Sequence, residues 1–276
     1  MKCYRYKISA LSGVILSPRE QQFFLKDGDR IYPFYQYGAY DQYDPKRAQY
    51  YIPGSSIKGA MKASEKTSEK KTLRIDDVRI NPDDIALTCL AKVQHILCEK
   101  ELEKATENKS RKSLKLDTFF PHIKFEILKS DCAFDNQRIY AESDAQLCGV
   151  LKNTRESAEK RLHVYKWQIT NLLERYRNHP LKTSEAKDSI LSEKDCIESL
   201  QKTVENIERQ LCSLSAMSVN NHRNETLLFL GGHKGLLLSR EFPVCKEKEV
   251  QSGIFLDKAK QLPYGIVKIG VIIDES

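Results

Sequence analysis

Two apolar stripes at helical spacing fill residues 145–215, and period-two alternation brackets them on both sides. The first stripe runs Leu151, Ala158, Leu162, Tyr165, Ile169, Leu172 and Tyr176 and ends near Asn178-His179-Pro180. The second runs Ile197, Leu200, Val204, Ile207, Leu211 and Leu214, with steps alternating between three and four, the spacing of a heptad seam. The pattern predicts an antiparallel helical hairpin, with two ordinary core helices as the alternative. Upstream, Tyr4, Tyr6 and Ile8 alternate with Arg5, Lys7 and Ser9, as a half-buried strand requires. Downstream, Val267, Ile269, Val271 and Ile273 alternate with Lys268, Gly270 and Ile272. Strands, a helical block and strands again define an α+β chain. The expected divisions are 1–144, 145–215 and 216–276.

Between these landmarks the punctuation is local. Residues 17–48 are rich in Pro, Gly, Asp and Tyr, which predicts a long loop with short strands. Leu73–Ile80 reads as a strand. Residues 82–105 read as a helix capped by Asn81, with Pro82 in the first helical position. Ile123, Phe125 and Ile127 alternate as a further strand, with 134–141 as its expected partner, and Thr226–Leu230 reads as another.

Charge narrows the function classes. The net charge is +7, and residues 1–60 alone hold nine Lys/Arg against five Asp/Glu. Most of the 13 tyrosines share that segment, among them Tyr32, Tyr35, Tyr37, Tyr40, Tyr43, Tyr50 and Tyr51. Cations interleaved with rings suit a single-stranded nucleic acid, and a solvated Tyr-rich loop is the structural alternative. The eight cysteines show no Cys-x-x-Cys and no Cys/His cluster, so free thiols are expected, with no metal and no cofactor. No run approaches the ~18 apolar residues of a membrane span. Met1–Tyr6 leads into a strand without a signal-peptide pattern, so the expected location is cytoplasmic.

The segment Tyr51-Ile52-Pro53-Gly54-Ser55-Ser56-Ile57-Lys58-Gly59-Ala60 carries the most chemistry. Pro53-Gly54 turns a strand, and Ser55 or Ser56 then opens a helix, with Ile57, Ala60 and Met61 on its apolar face. Hydroxyls, unpaired helix N–H groups and the Lys58 charge would together suit a phosphate. Gly59 would let another backbone approach. The same string also serves as a plain strand–turn–helix. The acid pairs Asp76-Asp77 and Asp83-Asp84 invite a metal reading, while Asp83 and Asp84 also suit a first helical turn.

Ile52–Gly59 resembles the signature of RAMP proteins, the RRM-like subunits of type III CRISPR effector complexes, and is most similar to the fifth Csm subunit of type III-A. Leu73-Arg74-Ile75-Asp76-Asp77 and Leu262-Pro263-Tyr264-Gly265-Ile266-Val267-Lys268-Ile269 resemble two further family segments in the same order. The chain departs from the pattern at Leu11–Ser17, which holds no His, and at Gly231-Gly232-His233-Lys234-Gly235, which lacks an aromatic. The resemblance implies one or more ferredoxin/RRM-like domains with an antiparallel sheet and an added helical block. Residues 216–276 would complete that core or form a second, partial domain. It implies contact with single-stranded guide RNA at Gly54, Ser55, Ser56, Lys58, Gly59, Lys62, Arg74 and Gly231, Gly232, His233, Lys234, Gly235. It implies a place at the end of the complex that holds the guide's 3′ part, with a role in its maturation. The implied protein partners are a repeated backbone RAMP subunit, a small helical subunit and host ribonucleases, with no membrane.

Three functions compete. The first is a non-catalytic RNA-binding subunit. The second is a metal-independent endoribonuclease using His233 as acid–base. The third is an interaction protein docking through its helical hairpin. No second acid–base residue is tied to His233 by spacing, which favours a glycine-rich loop that touches RNA through its backbone.

Overall fold

Lys2–Ala10 forms β1, burying Tyr4, Tyr6, Ile8 and Ala10 on one face and exposing Arg5 and Lys7 on the other. The computed structural model describes residues 1–18, 21–25, 28–38, 40–61, 73–94, 115–118, 121–178, 187–216, 223–231 and 254–272. Short strands follow: β2 (Phe23–Phe24), β3 (Arg30–Tyr32), β4 (Gln36–Tyr37) and β5 (Gln49–Ile52). Helix α1 (Gly54–Ala60) leads to β6 (Arg74–Ile75), β7 (Val78–Arg79), β8 (Ile85–Thr88), β9 (Ala91–Gln94), β10 (Lys115–Thr118), β11 (Ile123–Leu128) and β12 (Ala133–Ala141). Two long helices, α2 (Asp144–Asn178) and α3 (Lys187–Ala216), precede β13 (Arg223–Phe229). The chain then forms β14 (Phe255–Asp257), β15 (Leu262–Pro263) and β16 (Ile266–Ile272). The architecture is α+β.

The principal sheet is antiparallel, in the order β13-β16-β1-β12-β6. Its inner face joins Tyr4, Tyr6, Ile8, Ile139, Val267, Ile269 and Val271 to Ile57 and Met61 at the α1 end and to Leu147, Val150 and Leu151 of α2. Two smaller sheets carry the Tyr-rich stretch, β2-β3-β11-β8 and β4-β5-β7, and a fourth joins β10-β9-β14-β15.

The helical block is an antiparallel hairpin. Arg155 donates to the Leu214 carbonyl, and Lys166 pairs with Glu208 at 2.8 Å, so partners run in opposite directions along the two helices. Leu162, Ile169, Leu172, Leu200, Ile207 and Leu214 are buried in its seam, with Ile197, Val204 and Leu211 packed at its margin. Of the two stripes, only the Tyr176 side chain lies outside the described set. The hairpin rests on β13, where Tyr165 stacks on Phe229 with ring centroids 5.9 Å apart.

Three expectations fail. Asn81 does cap, accepting from Asp83 N–H at 3.1 Å, but it caps a single 3-10 turn, Pro82–Asp84, and residues 85–94 continue as β8 and β9. Helix propensity at Ala86 and Leu87 is a weak preference, and the ladder with β11 overrides it. Residues 95–105 lie outside the described set. The strand Leu73–Ile80 is broken at Asp76-Asp77, its halves joining β12 and β5 respectively. Residues 134–141 pair with β1 and β6, whereas the 123–128 strand pairs with β3 and β8.

The seam sets an expectation for stability. Ile207 is fully buried, so Ile207→Ala should cost about 2–5 kcal/mol, because apolar area leaves the seam and a cavity remains. The exposed Lys202→Ala should stay within about 0.5 kcal/mol of the parent. Denaturant midpoints measure both, and equal effects would mean the seam is not packed.

Candidate nucleic-acid interface

Helix α1 starts one residue earlier than its serines suggest. Pro53 is the N-cap residue, with no side-chain cap, and Ser56 and Ile57 N–H donate to its carbonyl at 2.9 and 3.2 Å. Gly54 N–H donates to Asp77 Oδ1 at 2.8 Å, and Tyr37 hydroxyl donates to Asp77 Oδ2 at 2.9 Å. A carboxylate of the chain itself therefore occupies the start of the helix, where the dipole favours an anion. This accounts for Asp77 without a metal. Among the described residues no group of three or more His, Cys, Asp or Glu is placed to hold one.

Close backbone approach belongs to Gly54 instead of Gly59. A Cβ on Gly54 would lie 2.0 Å from the Ile75 carbonyl oxygen, so only glycine lets α1 dock against β6. Nothing lies within 4 Å of a Cβ on Gly59, which is exposed. Ser55 is also exposed, and Ser56 and Lys58 are half-buried. Lys58 falls in the last turn of the seven-residue helix rather than the first, beyond the positive end of its dipole. Ser55 and the bare backbone of Gly59 are thus the exposed parts of this corner, with Lys58 half-buried between them.

Arg74 does not join this corner. It stands on the opposite face of the sheet, where it pairs with Asp76 at 3.7 Å and lies 5.4 Å from the Tyr140 ring centroid. Gly231 lies two residues beyond the end of β13, with φ of 148° and space for a Cβ denied by the Ile15 carbonyl at 2.9 Å. Lys62 and Gly232, His233, Lys234 and Gly235 lie outside the described residues. Gly59 and Ala60 share a small pocket with Ser157, Arg161, Leu228 and Phe229, so the α1 motif sits close to the strand that runs into Gly231. The Arg161 guanidinium lies 4.8 Å from the Phe229 centroid. Nothing in the sequence marked Arg161 or Ser157, because the fold alone brings α2 past α1.

The tyrosines turn largely inward. Tyr50 is buried and donates to Glu126 Oε1, Phe34 N–H donates to Glu126 Oε2 at 3.0 Å, and Tyr43 also bonds this carboxylate. Tyr32 stacks on Phe125, and Tyr37 on Tyr51 with centroids 4.0 Å apart. Of these seven, Tyr37 keeps the most open surface, at 42% exposure. The segment is an intramolecular aromatic core around a buried acid, with one ring presented beside Asp77.

No protein-family model matches the chain, and no curated protein matches it. Among the described residues no helix is long and apolar enough to cross a membrane.

Glu126 supplies a pH dependence. Burial raises its carboxyl above the ordinary range more than the Tyr50, Phe34 and Tyr43 bonds lower it. A carboxyl raised on folding contributes stability that is fully present below the unfolded value, about 4.3, and is lost as pH rises through the folded value. Thermal midpoints from about pH 4 to about pH 8 should therefore fall less in Glu126→Gln than in the parent. An identical decline in both would show that this carboxyl does not contribute.

Proposed function

We propose that the chain is a non-catalytic, guide-RNA-binding subunit of a type III CRISPR effector complex, built on a ferredoxin/RRM-like RAMP domain. One observation supports this reading most. The strands β16-β1-β12-β6 lie in the order of a βαββαβ ferredoxin-like unit, with α1 between β1 and β6 and α2 after β12. In that frame β13 is an added edge strand, and α3 turns the second helix into a hairpin. The RAMP-like segment Ile52–Gly59 coincides with the end of β5 and the start of α1, as its resemblance implies.

RNA contact would be made by Ser55, Lys58 and the open backbone at Gly59, continuing toward Gly231. The Lys58 ammonium acts as a point charge on phosphate, independent of base identity. The helical hairpin, with its exposed outer faces, would meet neighbouring subunits in a cytoplasmic ribonucleoprotein. The subunit would sit at the end that holds the guide's 3′ part, beside the repeated backbone subunit and the small helical one.

Lys58→Ala should weaken binding to single-stranded RNAs of unrelated sequence. It should also flatten the log–log salt dependence by about 0.7 for each phosphate it no longer neutralises. Anisotropy titrations across salt concentrations measure both, and an unchanged affinity and slope in a folded variant would remove this corner from the RNA path. The same RNAs, incubated with the protein with or without Mg²⁺, should remain intact on a denaturing gel. Cleavage that disappears in His233→Ala would establish the endoribonuclease reading instead.

A further inference from the structure

The pocket between the end of α1 and the flank of α2 has a lining that mixes donors with acceptors. Its volume is about 20 Å³, room for one water-sized group. Two side chains of α2 supply donors, Ser157 and Arg161, both half-buried. The Arg161 guanidinium lies over the Phe229 ring, 4.8 Å from its centroid. That contact engages the face of the guanidinium, whereas its N–H donors lie at its edge. Thr154 also lines the pocket, but its hydroxyl donates to the Val150 carbonyl at 2.7 Å.

The α1 side supplies acceptors. Gly59 has no side chain, so it lines the pocket with backbone alone. The helix stops at Ala60 and its cap residue, Met61, is extended, so the helix itself gives no amide to the Gly59 and Ala60 carbonyls. These carbonyls also form the negative end of the helix dipole. The mixture selects among small polar groups. A phosphate oxygen only accepts, and the end of α1 disfavours it. An ammonium only donates, and Arg161 repels it. A hydroxyl both donates and accepts, and it is the size of a water.

We infer that this pocket takes the 2′-hydroxyl of a ribose, so that the α1 corner reads the sugar of the strand it binds. Ser157 and Arg161 donate to the hydroxyl oxygen, and the carbonyl end of α1 accepts its proton. The inference rests on the RNA-binding reading and deepens it. Lys58 meets a backbone phosphate, and the adjoining Gly59 opens onto the neighbouring sugar. The 2′-hydroxyl is the group that lets a protein tell RNA from DNA at a given contact. Selection here would depend on the sugar and leave the bases unread.

The test uses the full-length chain with oligouridylate and its 2′-fluoro and 2′-O-methyl analogues as probes. The fluoro sugar keeps the pucker of ribose but donates no hydrogen bond. The parent should bind oligouridylate about fivefold more tightly than the 2′-fluoro probe, the worth of about one neutral hydrogen bond. The 2′-O-methyl probe should bind at least as weakly as the fluoro one, because a methyl group has no room in the pocket. Ser157→Ala should bring the ribose-to-fluoro ratio close to one and keep the parental salt slope, since the lost contact carries no charge. Lys58→Ala should weaken both probes alike and keep the ratio. Equal parental affinity for the ribose and fluoro probes would overturn the inference and leave the RNA-binding reading standing. So would a parental ratio retained in Ser157→Ala. The parental comparison needs no variant, so it decides even where Ser157→Ala folds poorly. A loss shared by both probes in Ser157→Ala, with a flatter salt slope, would assign the pocket to phosphate and also overturn it. A parent without affinity for any of the three probes would overturn both readings.

Discussion

Strand β1 is bonded on both sides to segments distant in sequence, Arg5 facing Arg138 on one ladder and Ile272 on the other. Closing such long loops costs entropy before any contact forms, so the strand must return much through burial. It does so through Tyr4, Tyr6, Ile8 and Ala10, all on the face that meets α1 and α2. A slip of one residue on either ladder would turn those four outward and bring Arg5 and Lys7 into the core. The register is therefore held by a penalty on both faces. Every other feature takes its place from it: β6 at one edge, β13 at the other, and the helical hairpin resting on β13.

The Tyr-rich stretch shows how composition and role can part. Rings interleaved with cations are what a nucleic-acid strand recognises, yet here most of the rings serve a buried carboxylate and one another. Glu126 cannot stay charged in an apolar setting without donors, and Tyr50, Tyr43 and the Phe34 N–H supply them. The arrangement ties β11 to the loop strands, so a stretch without periodicity acquires one structure.

The α1 corner shows a similar exchange of roles. Asp77, which sequence spacing offered as half of an acid pair, closes the helix start and holds Tyr37. Gly54, not Gly59, is the glycine that packing demands, and this leaves Gly59 open. Arg74 joins Tyr140 and Asp76 across the sheet, because adjacent residues of a strand point to opposite faces and Ile75 takes the inner one.

Local periodicity and turn chemistry act within a few residues, and they already specify a good part of this chain. The α+β class, the phase of β1 and β16, both helices of the hairpin with their seam, and the strand–turn–helix at Ile52–Ala60 all follow from them. Asn81 was legible as a cap for the same reason. The strand fate of residues 85–94, the break at Asp76-Asp77 and the partners of 134–141 emerge only when the chain folds. Each depends on which distant strand supplies the missing backbone hydrogen bonds, and short apolar runs do not encode their partner. The juxtaposition of Gly59 with Arg161, and of Arg5 with Arg138, has the same origin. Each residue was visible in the sequence, but nearness between them exists only once β1 has selected its neighbours.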